Sequence, residues 1–242
     1  LDPKLAEQHN QAQREYYTHT ERATIAPAET PYVRRHIDEI LRVSGIQPGA
    51  RILDAGCGMG RHSFHLAARG YKVEGLELSP DLVARMRQLD RFGIPVHCAD
   101  IAHPPAELHQ GFEAVFGFFM LHHLLDLDAA FRGVAALLRP GGRAVFIEPN
   151  PANVLYWIQI TCAPHMKWSA ERGIFNMRRR LLFPAMERAG LRQPAVFRFG
   201  FLPPFLRNLS FGGAIDSAAE RVGILEPILP FQIFSADLVH AD

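Results

Sequence analysis

The segment that most constrains this chain is Ile52-Leu53-Asp54-Ala55-Gly56-Cys57-Gly58-Met59-Gly60. Arg51 to Ala55 reads as a buried strand, and His62 to Arg69 reads as a helix that ends at Gly70. Between them stand three glycines at alternate positions. Glycine reaches backbone angles closed to other residues and lets a ligand approach the main chain. A strand that passes into a helix through such a loop is the phosphate- or nucleoside-binding end of a β-α unit.

The rest of the chain repeats that rhythm. Lys72 to Glu77 is a second strand. Ser79 as N-cap and Pro80 at the first helical position open a helix to about Phe92. Strands follow at Pro95–Ala99 and Phe112–Phe118, then a helix near Asp128–Leu138. Pro140-Gly141-Gly142 is expected to turn the chain into a fifth strand, Arg143–Glu148. A helix over Phe175–Ala189, a strand over Gln193–Phe199 and a last strand near Phe231–Val239 complete the series. Such alternation predicts an α/β fold, a mostly parallel sheet with helices on both faces.

With 242 residues the chain fits one domain better than two. Its parts are an N-terminal helical lid (1–48, with helices at Pro3–Tyr17 and Pro31–Ser44), a cofactor-binding core (49–150) and two insertions (151–173 and 200–230). Val154, Leu155, Tyr156, Trp157, Ile158 and Ile160 in the first insertion, with Phe201 to Leu206 and Phe211 in the second, suggest an apolar cap over a substrate. The same residues could equally bury one another as core.

Three carboxylates discriminate among ligands for the glycine loop. Asp54 immediately precedes the glycines, where its charge would repel a pyrophosphate and favour a cationic ligand. That placement, with the tight Gly-x-Gly-x-Gly spacing, argues against a nicotinamide dinucleotide. Glu77 ends the second strand, where a carboxylate can accept from both hydroxyls of a ribose. Asp100 ends the third and could accept from an adenine amino group. The three acids converge on one crevice at the carboxyl ends of the strands.

On these residues the chain resembles the class I S-adenosylmethionine-dependent methyltransferases, in the broad group that includes ubiquinone/menaquinone and many small-molecule methyltransferases. The resemblance runs from about Arg51 to Ala189. It includes the glycine motif, Glu77, Cys98-Ala99-Asp100-Ile101, Phe112 to Leu124 and Leu137 to Gly142. It implies a Rossmann-like seven-stranded sheet with the last strand antiparallel. It also implies S-adenosyl-L-methionine as cofactor, with Asp54, Gly56, Gly58 and Gly60 at the methionyl end. Glu77 would then hold the ribose, Asp100 with Ile101 the adenine, Leu78 would pack on its ring and Phe118 would lie beside the cofactor.

For the chemistry, His122 and His123 follow the fourth strand and face the expected methyl site. In some relatives a histidine of this element is the general base, and His123 is preferred to His122 for that role. Tyr16 and Tyr17 in the N-terminal helix, Glu148 and Asn150 beyond the fifth strand, and Trp157 are candidates for contact with the acceptor. His62 and His65 lie one helical turn apart without a third ligand, so no metal is expected. A formal charge of +1 and Gly117-Phe118-Phe119-Met120 where DNA adenine methyltransferases carry Asn/Asp-Pro-Pro-aromatic point away from nucleic acid. The expected partner is a small, apolar or aromatic acceptor, methylated on oxygen or carbon. A regulatory S-adenosylmethionine-binding module is the alternative. No export leader or membrane span is visible, so a cytoplasmic location is expected, with peripheral membrane contact left open.

Overall fold

A computed structural model describes residues 3–18, 26–162 and 171–239. Seven strands form one sheet in the order β3-β2-β1-β4-β5-β7-β6. They are β1 (Arg51–Ala55), β2 (Lys72–Glu77), β3 (Val96–Cys98), β4 (Phe112–Phe118), β5 (Leu138–Pro149), β6 (Leu191–Phe199) and β7 (Phe231–Leu238). Strands β1 to β5 pair in parallel, and β7 runs antiparallel to both β5 and β6. This is the Rossmann-like fold expected from the sequence, with its last strand reversed. The central strands are near-continuous apolar runs because both faces are covered by helices. Leu53, Phe112, Phe131 and Phe146 pack on one face, and Ile37, Ile52, Phe116 and Ile147 on the other.

Among the described residues the helices are α1 (Pro3–Thr18), α2 (Pro31–Ser44), α3 (Ser63–Ala68), α4 (Pro80–Leu89), α5 (Leu127–Leu137), α6 (Val154–Cys162), α7 (Arg179–Arg188), α8 (Pro204–Arg207) and α9 (Gly212–Glu220). Local chemistry sets their ends. Thr30 Oγ1 accepts from Val33 N–H, Ser79 Oγ from Leu82 N–H and Asp126 Oδ1 from Ala129 N–H. Helix α4 stops at Leu89, short of the expected Phe92. Asp90 draws the Phe92 and Ile94 amides onto its carboxylate at 2.8 and 2.6 Å, a local alternative to another helical turn.

Two further boundaries differ from expectation. Pro140-Gly141-Gly142 does not precede β5 but bulges within it. Leu138 pairs with Phe112 and Arg143 with Ala114, so residues 139–142 loop out opposite Glu113, with Gly141 at φ 76°. The helix expected from Phe175 starts only at Arg179, after a separate 3-10 turn over Arg172–Asn176.

The strand order reverses between β1 and β4, which opens a crevice at their carboxyl ends. Helix α1 closes over it. Asn10 Nδ2 donates to Asp100 Oδ2 at 2.8 Å, and His9 Nε2 donates to the His123 carbonyl at 2.7 Å. Among the described residues no helix is long and apolar enough to cross a membrane.

Candidate active site

Gly56, Gly58 and Gly60 all adopt positive φ, at 68°, 56° and 84°. The Gly56 amide donates to the Leu76 carbonyl at 2.7 Å, which fixes the loop against β2. A Cβ added to Gly58 would meet nothing within 4 Å, because that position faces the open crevice. Gly60 differs. A Cβ there would lie 2.6 Å from the Phe64 ring, and Gly60 is not part of the crevice wall. Its backbone shapes the step from loop to helix.

Glu77, 8% exposed, accepts from Gly58 N–H at 3.0 Å and Ser79 N–H at 2.9 Å and still lines the crevice. Burial raises its pKa, against the lowering effect of these amides. Asp100 accepts from the Ala102 amide and from Asn10. Leu78, Ile101 and Phe118 line the same crevice, and His62 stacks on Phe118 at 4.0 Å.

Asp54 departs from expectation. It is 1% exposed, lies behind the crevice wall, and accepts from Ser63 Oγ–H at 2.5 Å. Its carboxylate fastens β1 to the start of α3. Burial lifts its pKa to about 7, offset in part by the Ser63 hydrogen bond and increased by Glu77. A pKa raised above the unfolded value stabilises fully below that value and is lost as pH climbs through the folded one. Wild type is therefore expected to lose on the order of 2 kcal/mol relative to Asp54→Asn between pH 5 and pH 8. Urea denaturation of both proteins at the two pH values measures this, and parallel pH profiles would refute it.

At the other end of the crevice the chain leaves β4 through Phe119, whose φ of 58° is a strained angle for a bulky residue. The Phe119 ring packs on His36 and Phe231 at 5.1 and 5.7 Å. Beyond it, Glu148 holds the following turn. The carboxylate of Glu148 is fully buried and accepts from Met120 N–H at 2.9 Å, Leu121 N–H at 2.6 Å and His122 Nδ1–H at 2.6 Å. His122 Nε2 faces Glu171 Oε2 at 3.5 Å, and Tyr156 Oη donates to the same oxygen at 3.3 Å. A side chain at Gly173 would run into the His122 carbonyl, so the bare main chain there lets the first insertion sit directly on the turn. Burial pulls the His122 ring down, but Glu148 and Glu171 together outweigh it and lift the pKa to about 9. A proton already held between two carboxylates makes His122 a poor general base. His123 stacks beside it at 4.0 Å and also lines the crevice.

Several expected acceptor contacts lie elsewhere. Glu148 is spent on the turn and does not line the crevice. Asn150 donates from Nδ2 to the carbonyls of Pro227 and Leu229 at 2.9 and 2.8 Å, joining the two insertions. Trp157 donates from its indole N–H to the Pro151 carbonyl and stacks on Phe175 at 4.4 Å, outside the wall. In α1 it is Gln13 and Arg14, not Tyr16, that line the crevice. The side chain of Tyr17 lies outside the described residues. Tyr32, His36, Arg61 and Glu171 line the crevice without having been singled out, and Tyr156, expected as part of the apolar cap, lines it too. Tyr32 and His36, one turn apart in the amphipathic α2, carried a readable signal, as did Arg61 directly after the glycines. Glu171 carried none.

The crevice is one continuous cavity of about 640 Å³. Its first half is the glycine loop, Glu77, Leu78, Asp100 and Ile101. Its second half is built by Phe119, Leu155, Tyr156, Phe201, Leu202, Pro203, Pro204 and Phe231, with His122, His123 and Glu171 at its polar end. The open space above Gly58, beside a buried carboxylate and two apolar walls, fits a nucleoside with a cationic tail.

Residues 52–142 match the family described as Methyltransferase domain. The chain is 34% identical over 122 residues to a ubiquinone biosynthesis O-methyltransferase of Xanthomonas axonopodis pv. citri, covering 49% of this chain and 51% of that protein. It is 29% identical over 163 residues to the enzyme of the same name from Chromobacterium violaceum, covering 64% and 70%. The aligned region thus spans about half the length of the first of these relatives. In structure it is similar to geranyl diphosphate C-methyltransferase of Streptomyces coelicolor A3(2), solved with Mg²⁺, geranyl diphosphate and S-adenosylhomocysteine. The TM-score is 0.61 at 18% identity over 96% of this chain and 98% of that one. The family match covers residues 52–142, and the likeness in fold extends over nearly the whole chain.

Proposed function

We propose that this chain, whose residues 52–142 match the family described as Methyltransferase domain, is a class I S-adenosylmethionine-dependent methyltransferase that transfers a methyl group to a small, mainly apolar acceptor. The observation that carries this reading is the shared cavity, with a nucleoside-fitting half and an apolar half walled by both insertions. When bound, S-adenosyl-L-methionine supplies a methyl group on a positively charged sulfur. Gly56 and Gly58 would take the methionyl end and Glu77 the ribose. Asp100, Ile101 and Leu78 would hold the adenine, and Phe118 would flank the cofactor. Arg61 and Arg14, both on the wall, provide positive charge for a carboxylate.

The chain's contribution to rate is then mainly positional. Holding an acceptor in line and excluding water is worth about 7–11 kcal/mol of barrier in well-oriented reactions. Helix α1 acts as the lid and the two insertions form the acceptor wall. Phe201, Leu202, Phe231 and Phe119 favour an aromatic or lipid-like acceptor over a sugar. With His122 held as the imidazolium, His123 is the histidine of the pair left to accept a proton from an acceptor hydroxyl.

Incubation with methyl-labelled S-adenosylmethionine and a panel of phenolic, lipid and sugar acceptors tests the reading. Label is expected in a phenolic or lipid acceptor, with S-adenosylhomocysteine formed in equal amount. Label confined to protein or RNA would overturn the small-molecule assignment. Tight cofactor binding with no turnover on any acceptor would mark a binding module instead.

A further inference from the structure

The polar end of the acceptor chamber has a composition that proton transfer alone does not require. His122, His123 and Glu171 each bring one ligand atom to within 4.8 Å of the other two, and all three line the cavity. We infer that they form a site for a divalent first-row transition metal of the zinc or cobalt class, open on its cavity side to an acceptor oxygen.

Three observations support the site. First, Glu148 receives His122 Nδ1–H at 2.6 Å, which fixes the ring and directs Nε2 toward Glu171, so that a metal takes the place of the Nε2 proton, which is released on binding. A carboxylate behind a histidine is the usual outer partner of a metal-bound imidazole. Second, His122 Nε2 and Glu171 Oε2 stand 3.5 Å apart, longer than a good charged hydrogen bond. Bonds of roughly 2.0–2.1 Å at a tetrahedral angle separate ligand atoms by about 3.4 Å, which this pair nearly meets. Third, Gly173 seats the insertion on the His122 carbonyl, so that Glu171 arrives on a fixed main chain.

Two imidazoles and one carboxylate favour zinc, cobalt, iron or manganese over magnesium or calcium, which prefer oxygen donors. Three protein ligands also leave a coordination position free, as catalytic rather than structural zinc sites do. The open position faces the chamber proposed for the acceptor, so the site's role rests on that reading. An acceptor carrying a hydroxyl or a pair of adjacent oxygens would then be held by the metal, with His123 a ligand rather than a base. Metal occupancy itself does not depend on that reading.

Untagged, chelator-treated full chain is titrated with Zn²⁺ and Co²⁺ by calorimetry and visible absorption, and S-adenosylhomocysteine binding is measured separately. One equivalent of metal and cobalt bands of a low-coordinate site are expected. Glu171→Gln and His123→Gln should each weaken binding by more than the roughly 10- to 100-fold seen for outer partners. His109→Asn, at a remote surface position, should leave it unchanged. Absence of stoichiometric binding, or binding unaltered in both folded variants, overturns the site, whatever the cofactor result. Should a variant fail to fold, X-ray absorption on zinc-loaded wild type decides. Two imidazole nitrogens and a carboxylate oxygen support the site, and any other donor set refutes it. Failure of cofactor binding with metal binding intact would instead remove the methyl-transfer reading and leave the metal centre standing.

Discussion

Replacing Glu148 by alanine is expected to destabilise the fold by about 3–5 kcal/mol, the cost of breaking a buried charged pair from one side. Three donors converge on this carboxylate, the amides of Met120 and Leu121 and the His122 ring, and none has solvent to turn to. For a chain of this size the loss corresponds to a fall in Tm of about 10 °C. Glu148→Gln keeps the volume and an accepting oxygen, so it should recover part of the difference. Urea unfolding of the three proteins measures it. A change below about 1 kcal/mol in the alanine variant would mean that the turn after β4 does not depend on this acid.

Replacing Glu77 by alanine is expected to weaken S-adenosylhomocysteine binding by about a hundredfold, as two hydrogen bonds to a charged group are lost. The carboxylate also anchors Gly58 and Ser79, so the loop facing the ligand loosens at the same time. Glu77→Gln should fall between, since an amide has one accepting oxygen. Calorimetry on folded proteins reads the affinities directly. Affinity of the alanine variant within about threefold of wild type would remove Glu77 from the ribose site.

The sheet was legible because the central strands are short, mainly apolar segments set between helix-forming stretches. The bounds of β1, β2 and β4 follow from composition alone. Burial was harder to read than sequence order. Asp54, Glu77 and Asp100 stand at comparable strand ends, yet only Glu77 and Asp100 reach the cavity, because Ser63 on α3 draws Asp54 behind the loop. Asn150 and Trp157 carried the right chemistry for an acceptor site but were taken up by carbonyls of neighbouring loops. Glu171 was invisible for the opposite reason. Its significance comes from a contact across 49 residues with His122, and the enabling residue, Gly173, has no side chain to notice.

Among the described residues, the first insertion and the residue that leads into it are joined to the second insertion through main-chain oxygens. Asn150 and Asn153 supply the amides, and the carbonyls of Pro227, Ile228 and Leu229 receive them, while Pro230 receives the Asn150 main-chain amide. Every amino acid brings the same carbonyl, so the identity of the residues on the receiving side is not what holds the joint. Descendants of this chain could therefore exchange neighbouring wall residues such as Phe201 or Leu202 and take up a new compound without dismantling the joint that frames the chamber.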